Sequence, residues 1–130
     1  MDREGVMALT MKSLSLILVS VLFIALGQVF WKLGTNQTGA VSFSDGHLMT
    51  SLVKMVNLWF VLGCILLLLS SVLWVWALSM VDLSIAFPFQ SLAFVFIFFF
   101  SLFIFKEPAT LLKIAGTCLI IIGVIAVAKS

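Results

Sequence analysis

NLWFVLGCILLLLSSVLWVWALSMVDLSIAFPFQSLAFVFIFFFSLFIF, residues 57–105, carries a single charged side chain, Asp82. Two apolar runs, 57–80 and 84–105, flank the tripeptide Val81-Asp82-Leu83. A helix rises ~1.5 Å per residue, so each run crosses a hydrocarbon core of ~30 Å. A link of three residues makes the two spans antiparallel neighbours. Neither run alternates apolar and polar residues, which excludes a transmembrane barrel.

Two further runs of the same kind lie outside this stretch, at 13–33 and 109–128. Across the 130 residues, 64% are hydrophobic and 9% charged, with a mean hydropathy of +1.35. A soluble domain needs about a quarter charged residues to cover itself. The expected fold is therefore all-α: a polytopic membrane protein of four transmembrane helices. Residues 1–12 form a short polar lead, and 13–130 a single four-helix domain. The first run is longer than the apolar stretch of a signal peptide and ends without a small-x-small cleavage site.

Residues 34–56 are the one sizeable loop. GTNQTGAVSFSDG reads as turn and coil. HLMTSLVKMV places Leu48, Leu52, Met55 and Val56 on one helical face, either as a short helix lying in the interface or as an extension of the second span. Asp82 or Ser84 suits the cap of the third span. Pro108 suits the first position of the fourth, with Glu107 before it at the positive helix end.

Small residues recur every seven positions: Ser13, Ser20, Gly27 and Gly34; Gly63, Ser70 and Ala77; Ser84 and Ser91; Ala109, Gly116 and Gly123. Seven residues nearly complete two turns, so each set forms a seam. Lipid supplies no hydrophobic drive between helices, and close approach through such seams packs them. A left-handed bundle follows. So small a bundle cannot enclose both a core and a sizeable substrate path, so a dimer is expected, with Gly116 and Gly123 at the contact.

Net charge is +2, too small for a nucleic-acid partner. The N-terminus, the 81–83 turn and the C-terminus share one membrane side, with Arg3, Lys12 and Lys129. Lys54, Lys106 and Lys113 fall on the other, joined by Lys32 if it snorkels that way. The near balance leaves orientation open: dual insertion with antiparallel dimers, or orientation set by a partner or by the early positive charges.

Enzymatic chemistry is excluded by inventory. The one histidine, His47, lies in a loop, tyrosine is absent, and Asp2, Glu4, Asp45, Asp82 and Glu107 all lie at or beyond span ends. No nucleophile–base pair or facing carboxylates can be assembled. Metal ligands are lacking, and no cofactor is expected. Cys64 and Cys118 fall inside spans as small packing residues. Asn36-Gln37-Thr38 matches a glycosylation sequon that short polar loops produce by chance.

What remains is polar groups at membrane depth. Gln28 and Lys32, four residues apart, share a helix face. Lys32 either snorkels to the headgroups or meets an anionic substrate group. Gln28 either bonds a neighbouring helix or contacts substrate. In SIAFPFQSLAF, Pro88 lacks a donor and clashes with the carbonyl of Ser84, so the helix should bend and free a carbonyl. Such breaks are tolerated where protein or a cavity satisfies the freed group. Gln90 and Ser91 follow. Trp59, Trp74 and Trp76 suit the membrane interface. Trp74 and Trp76 lie on different faces, so only one can line a given groove. The candidate substrate-binding set is Gln28, Lys32, Pro88, Gln90, Ser91 and Trp74.

These pieces resemble the small four-span members of the drug/metabolite transporter superfamily, of the EamA/small multidrug resistance type. The resemblance rests on Gly27-Gln28 with Lys32, on Ser84-Ile85-Ala86-Phe87-Pro88 with Ser91, and on Lys106-Glu107-Pro108. Gly116, Leu119-Ile120 and Gly123-Val124 match a last-span dimerisation pattern. Together they cover roughly 13–128. Small multidrug resistance proteins depend on a glutamate three residues before the glycine. Ile24 stands there, which argues against proton-coupled drug export. The Gly-Gln…Lys and Ile-Ala-aromatic-Pro pieces are more similar to the small subunits of the flippase for aminoarabinose linked to undecaprenyl phosphate. That resemblance implies movement of a lipid-linked sugar across the bacterial inner membrane by a homodimer or a heterodimer with a similar subunit. Lys32 would meet the phosphate, and Gln28 and Gln90 the phosphate or sugar. A small-metabolite or drug exporter acting as a homodimer is the alternative.

Overall fold

A computed structural model describes residues 9–40 and 46–130. Residues 1–8 and 41–45, which include most of the polar lead and part of the first loop, lie outside the described residues. The helices are α1 (Met11–Thr38), α2 (Leu48–Met55), α3 (Leu58–Leu78), α4 (Leu83–Gln90), α5 (Leu92–Phe103) and α6 (Leu111–Lys129). Among the described residues there is no strand. Four stretches are long and apolar enough to cross a membrane: α1, α3, α4 with α5, and α6.

α1 is the central element, in contact with α3, α4 and α5. In its most apolar stretch 39% of residues are buried, against 6% in α6, which packs mainly on α4 and α5 at the edge. The α1–α3 contact is built on the small-residue seams. Ser13, Ser20, Gly27 and Gly34 are all buried, as are Gly63, Ser70 and Ala77. The antiparallel register is visible in three contacts. Asn57 Nδ2 donates to the Gly34 carbonyl at 3.1 Å. A Cβ on Gly63 would lie 2.9 Å from the Gly27 carbonyl oxygen. Ser20 Oγ donates to the Ser70 carbonyl at 2.8 Å. Each step moves about seven residues along both helices, the spacing of a left-handed crossing.

The other seams are not used in this way. Ser84 is exposed and Ser91 half-buried. Nothing lies within 4 Å of a Cβ built on Gly116 or Gly123. The packed core sits toward one end of the bundle, where Ile17 and Val21 of α1 meet Ala77, Val81, Ala86, Phe89, Ala93 and Val124. Toward the other end α6 shows the exposed residues Leu111 and Leu112, at 81% and 85%.

Several local expectations are corrected. α1 does not stop at Leu33 but continues to Thr38. Gly34 is clasped by Asn57 and Trp59, and that contact holds the helix through a residue that would otherwise end it. The stop comes at Gly39, whose φ of 81° favours glycine and whose N–H bonds the Thr35 carbonyl at 2.8 Å. The sequon therefore lies in the last turn of α1. Of the two alternatives left open for this segment, α2 is the separate short helix. Asn57 caps α3, its side chain accepting from Phe60 N–H at 2.9 Å. Asp82 occupies the cap position of α4 without a side-chain bond. α6 starts three residues after Pro108, because Thr110 caps it by accepting from Lys113 N–H at 3.3 Å, which a proline ring cannot do.

Gly63→Ala tests the central contact. The added methyl meets the Trp31 ring and the Gly27 carbonyl, so unfolding in mild detergent should show a loss of about 1–3 kcal/mol. Gly116→Ala, whose methyl meets nothing, should not lower the midpoint and can raise it through helix propensity. Equal behaviour of the two variants would contradict this packing.

Candidate functional site

α1 presents Ile24, Gln28 and Lys32 at successive four-residue steps, one stripe along the helix. The stripe faces a groove walled by α4 and α5. Its first chamber, about 560 Å³, is lined by Ile24 and Gln28 from α1 and by Phe87, Gln90, Ser91, Ala93, Phe94 and Ile97. A second, about 400 Å³, shares Gln28, Phe94 and Ile97 with the first. It adds Val29, Lys32, Phe98, Ser101, Phe105, Glu107 and Lys113. A third, about 450 Å³, shares Ile24 and Gln90 with the first and is otherwise lined by Leu67, Ser70, Ser71, Trp74 and Val75. Gln28 stands where the first two chambers meet, and Gln90 where the first meets the third.

Five of the six expected binding residues thus line connected space. Pro88 is the exception, and it acts on the backbone. α4 runs through Pro88 without stopping, and the interruption comes three residues later, at Ser91. Both the N–H and the hydroxyl of Ser91 donate to the Pro88 carbonyl, a tighter turn than the α-helix. The helical pattern is interrupted just after the proline, beside Gln90 and Ser91 in the wall. Trp74 is fixed by an edge contact with Phe87, ring centres 5.8 Å apart and planes at 75°. Trp76 faces outward at 48% exposure, with the Lys12 ammonium 5.5 Å over its ring. Of the two, Trp74 belongs to the groove.

Lys32 does not sit at a helix end. α1 continues six residues beyond it, about 9 Å, so the lysine is carried on regular helix. Two groove residues escaped the reading of the sequence as binding groups, Glu107 and Lys113. The signal was present in the topology, which places them on the same membrane side as the end of α1. Glu107 is positioned by the link between α5 and α6: its N–H donates to the Ser101 carbonyl at 3.0 Å, and Lys106 before it adopts φ of 52°. Among the described residues no three His, Cys, Asp or Glu side chains gather as a metal site would require.

A four-span bundle with a polar-tipped, phenylalanine-walled groove is an architecture for moving a molecule, and the family comparison agrees. The model of the EamA-like transporter family matches residues 5–129. The chain belongs to the EamA-like transporter family. No curated protein and no solved structure matches it. Members of the family are transporters rather than enzymes. The chain is a membrane transporter with four candidate spans. In this transporter the groove between α1 and the α4–α5 wall is the candidate path.

The left-handed backbone at Lys106 stores strain where a side chain is present, ~1 kcal/mol. Lys106→Gly should raise the thermal midpoint of the purified transporter, and Lys106→Val should lower it. The reverse order would place that residue in an ordinary backbone conformation.

Proposed function

We propose that this transporter is a subunit of a flippase that moves a lipid-linked sugar of the polyprenyl-phosphate type across the bacterial inner membrane. Lys32 and Gln28 contact the anionic head group. The observation that carries the reading is the composition of the second chamber. Lys32 and Gln28 supply a cationic and an amide donor, and Phe94, Phe98 and Phe105 supply apolar wall in the same space. A polyprenyl phosphate has that division: a phosphate that takes charge-assisted hydrogen bonds and a tail that needs apolar surface. Gln90, Ser91 and Trp74, further along the groove, contact the sugar in this reading. Ile24 lines the first chamber where the proton-coupled relatives named above carry a glutamate, so the groove lacks a carboxylate at that depth.

A homodimeric exporter of small metabolites or drugs is the second reading. The third chamber favours it, since Trp74 with two serines and Gln90 offers an aromatic face and neutral acceptors to an organic cation.

Transport in liposomes separates the two. Lys32→Ala should abolish movement of a polyprenyl-phosphate sugar while insertion and the thermal midpoint are retained, and Lys32→Arg should restore part of it. Full activity of Lys32→Ala would remove the lysine from the mechanism. Export of a soluble cation, indifferent to polyprenyl phosphates, would favour the second reading.

Pairing with a second copy or a similar four-span subunit completes the path, and the proposed contact is the α6 face bearing Gly116 and Gly123. Replacing both by Leu should leave the single chain folded, because both positions open onto empty space, and should abolish the dimer. Crosslinking in membranes reads this directly, and dimers persisting in the double variant would move the contact to another face.

A further inference from the structure

The second chamber holds more charge than the proposed head-group contact uses. Lys32 comes from α1, Lys113 from the first turn of α6, and Glu107 from the link before it; all three line one space of about 400 Å³. Lys113 is placed against its local preference. The first turn of a helix is its positive end, where an acidic side chain is favoured and a cation adds to the field. The first turn of α6 has no acidic residue. The Lys113 ammonium donates to the Pro108 carbonyl at 3.3 Å, and an ammonium has three donors, so this bond uses one of them. The neighbouring backbone is also unusual. Lys106 takes a left-handed conformation, and the Glu107 N–H is tied back to Ser101, another residue lining the chamber.

We propose that Lys113 is the second cation of the head-group site and that Glu107 is a resident counter-charge which the substrate's phosphate displaces. The inference rests on the anionic-lipid reading given above. Two ammonium groups lining one groove repel each other, and one carboxylate in the same groove offsets one of them. The net single positive charge attracts an anion. An arriving phosphate then takes charge-assisted bonds from lysines on two different helices, α1 and α6, while Glu107 turns away. Loading thereby links the central helix to the edge helix. Glu107 also keeps the site from holding its cargo too tightly, since a chamber with two uncompensated cations would release a phosphate slowly.

Binding of decyl phosphate to the purified full-length transporter in neutral detergent, measured by calorimetry at low and high salt with decanol as the neutral control, tests this. Lys113→Gln should weaken decyl phosphate binding about ten-fold and reduce its salt dependence, as loss of a charge-assisted bond does, with Lys113→Arg restoring it. Glu107→Gln should act in the opposite direction, tightening binding about three-fold or more by removing a like-charge neighbour of the anion, and slowing turnover in liposomes. Decanol binding should not change in any variant. Unchanged decyl phosphate affinity in both Lys113→Gln and Glu107→Gln, with Lys32→Ala abolishing it, overturns this inference and leaves the anionic-lipid reading standing. Wild-type protein that does not distinguish decyl phosphate from decanol overturns both.

Discussion

The backbones of α1 and α3 touch at Gly27 and Gly63, and the rest of the molecule is arranged around that contact. In water a bundle is driven together by its apolar faces, but lipid tails are as apolar as leucine. Packing and hydrogen bonds must then do the work, and both improve only where backbones come close. Gly27 and Gly63 remove the side chains that would hold the helices apart. The closeness lets Trp31 lie over Gly63, stacked with Phe60 at 5.8 Å and donating its indole N–H to the Phe60 carbonyl at 3.2 Å. Seven residues on, Ser20 reaches the Ser70 carbonyl, a membrane hydrogen bond of a kind worth ~0.6 kcal/mol on average. Seven residues back, Asn57 clasps Gly34 and at the same time caps its own helix.

Because one face of α1 is used up by α3, the stripe Ile24–Gln28–Lys32 is turned to the other side. There α4 and α5 do not close on it as tightly. Their core contacts are at the end where Ala86, Phe89 and Ala93 meet Ile17 and Val21. The chain breaks its helical pattern at Ser91, just where that packed end gives way to the groove. A sealed end and an open end follow from where small residues and phenylalanines fall along α4 and α5. The candidate binding residues occupy the open part.

The number of spans, their connection and the small-residue seams along α1 and α3 were legible in the sequence, because each depends on one-dimensional regularities: run length, link length and a seven-residue period. The seam on α1 and α3 is used because both helices carry it and face each other. The same period on α4–α5 and α6 meets no matching seam in this chain, and periodicity alone does not say which seam finds a partner. Helix ends were less legible. Gly34 reads as a stop until Asn57, twenty-three residues away, is seen to clasp it, and Pro108 reads as a start until Thr110 is seen to cap. Gln28, Lys32, Gln90, Ser91 and Trp74 stood out as polar or amphipathic groups at membrane depth. Glu107 and Lys113 did not, because a charge at a span end is ordinary in a membrane protein. Only the fold shows that these two face the same chamber as Lys32.

α6 remains the least covered helix, and its exposure has a physical consequence. Exposed leucines and isoleucines cost nothing in lipid, so apolar exposure alone does not call for a partner. Uncovered glycines are different. A helix in lipid with Gly116 and Gly123 on its surface has given up side-chain contacts and gained no close approach in return within this chain. Glycine also weakens the helix that carries it, by up to ~1 kcal/mol per residue relative to alanine. On α1 and α3 the same loss is offset by the packing of Trp31 and the bonds around it. For α6 the pairing proposed above would supply that offset from outside the chain, seam against seam, as α1 and α3 meet within it.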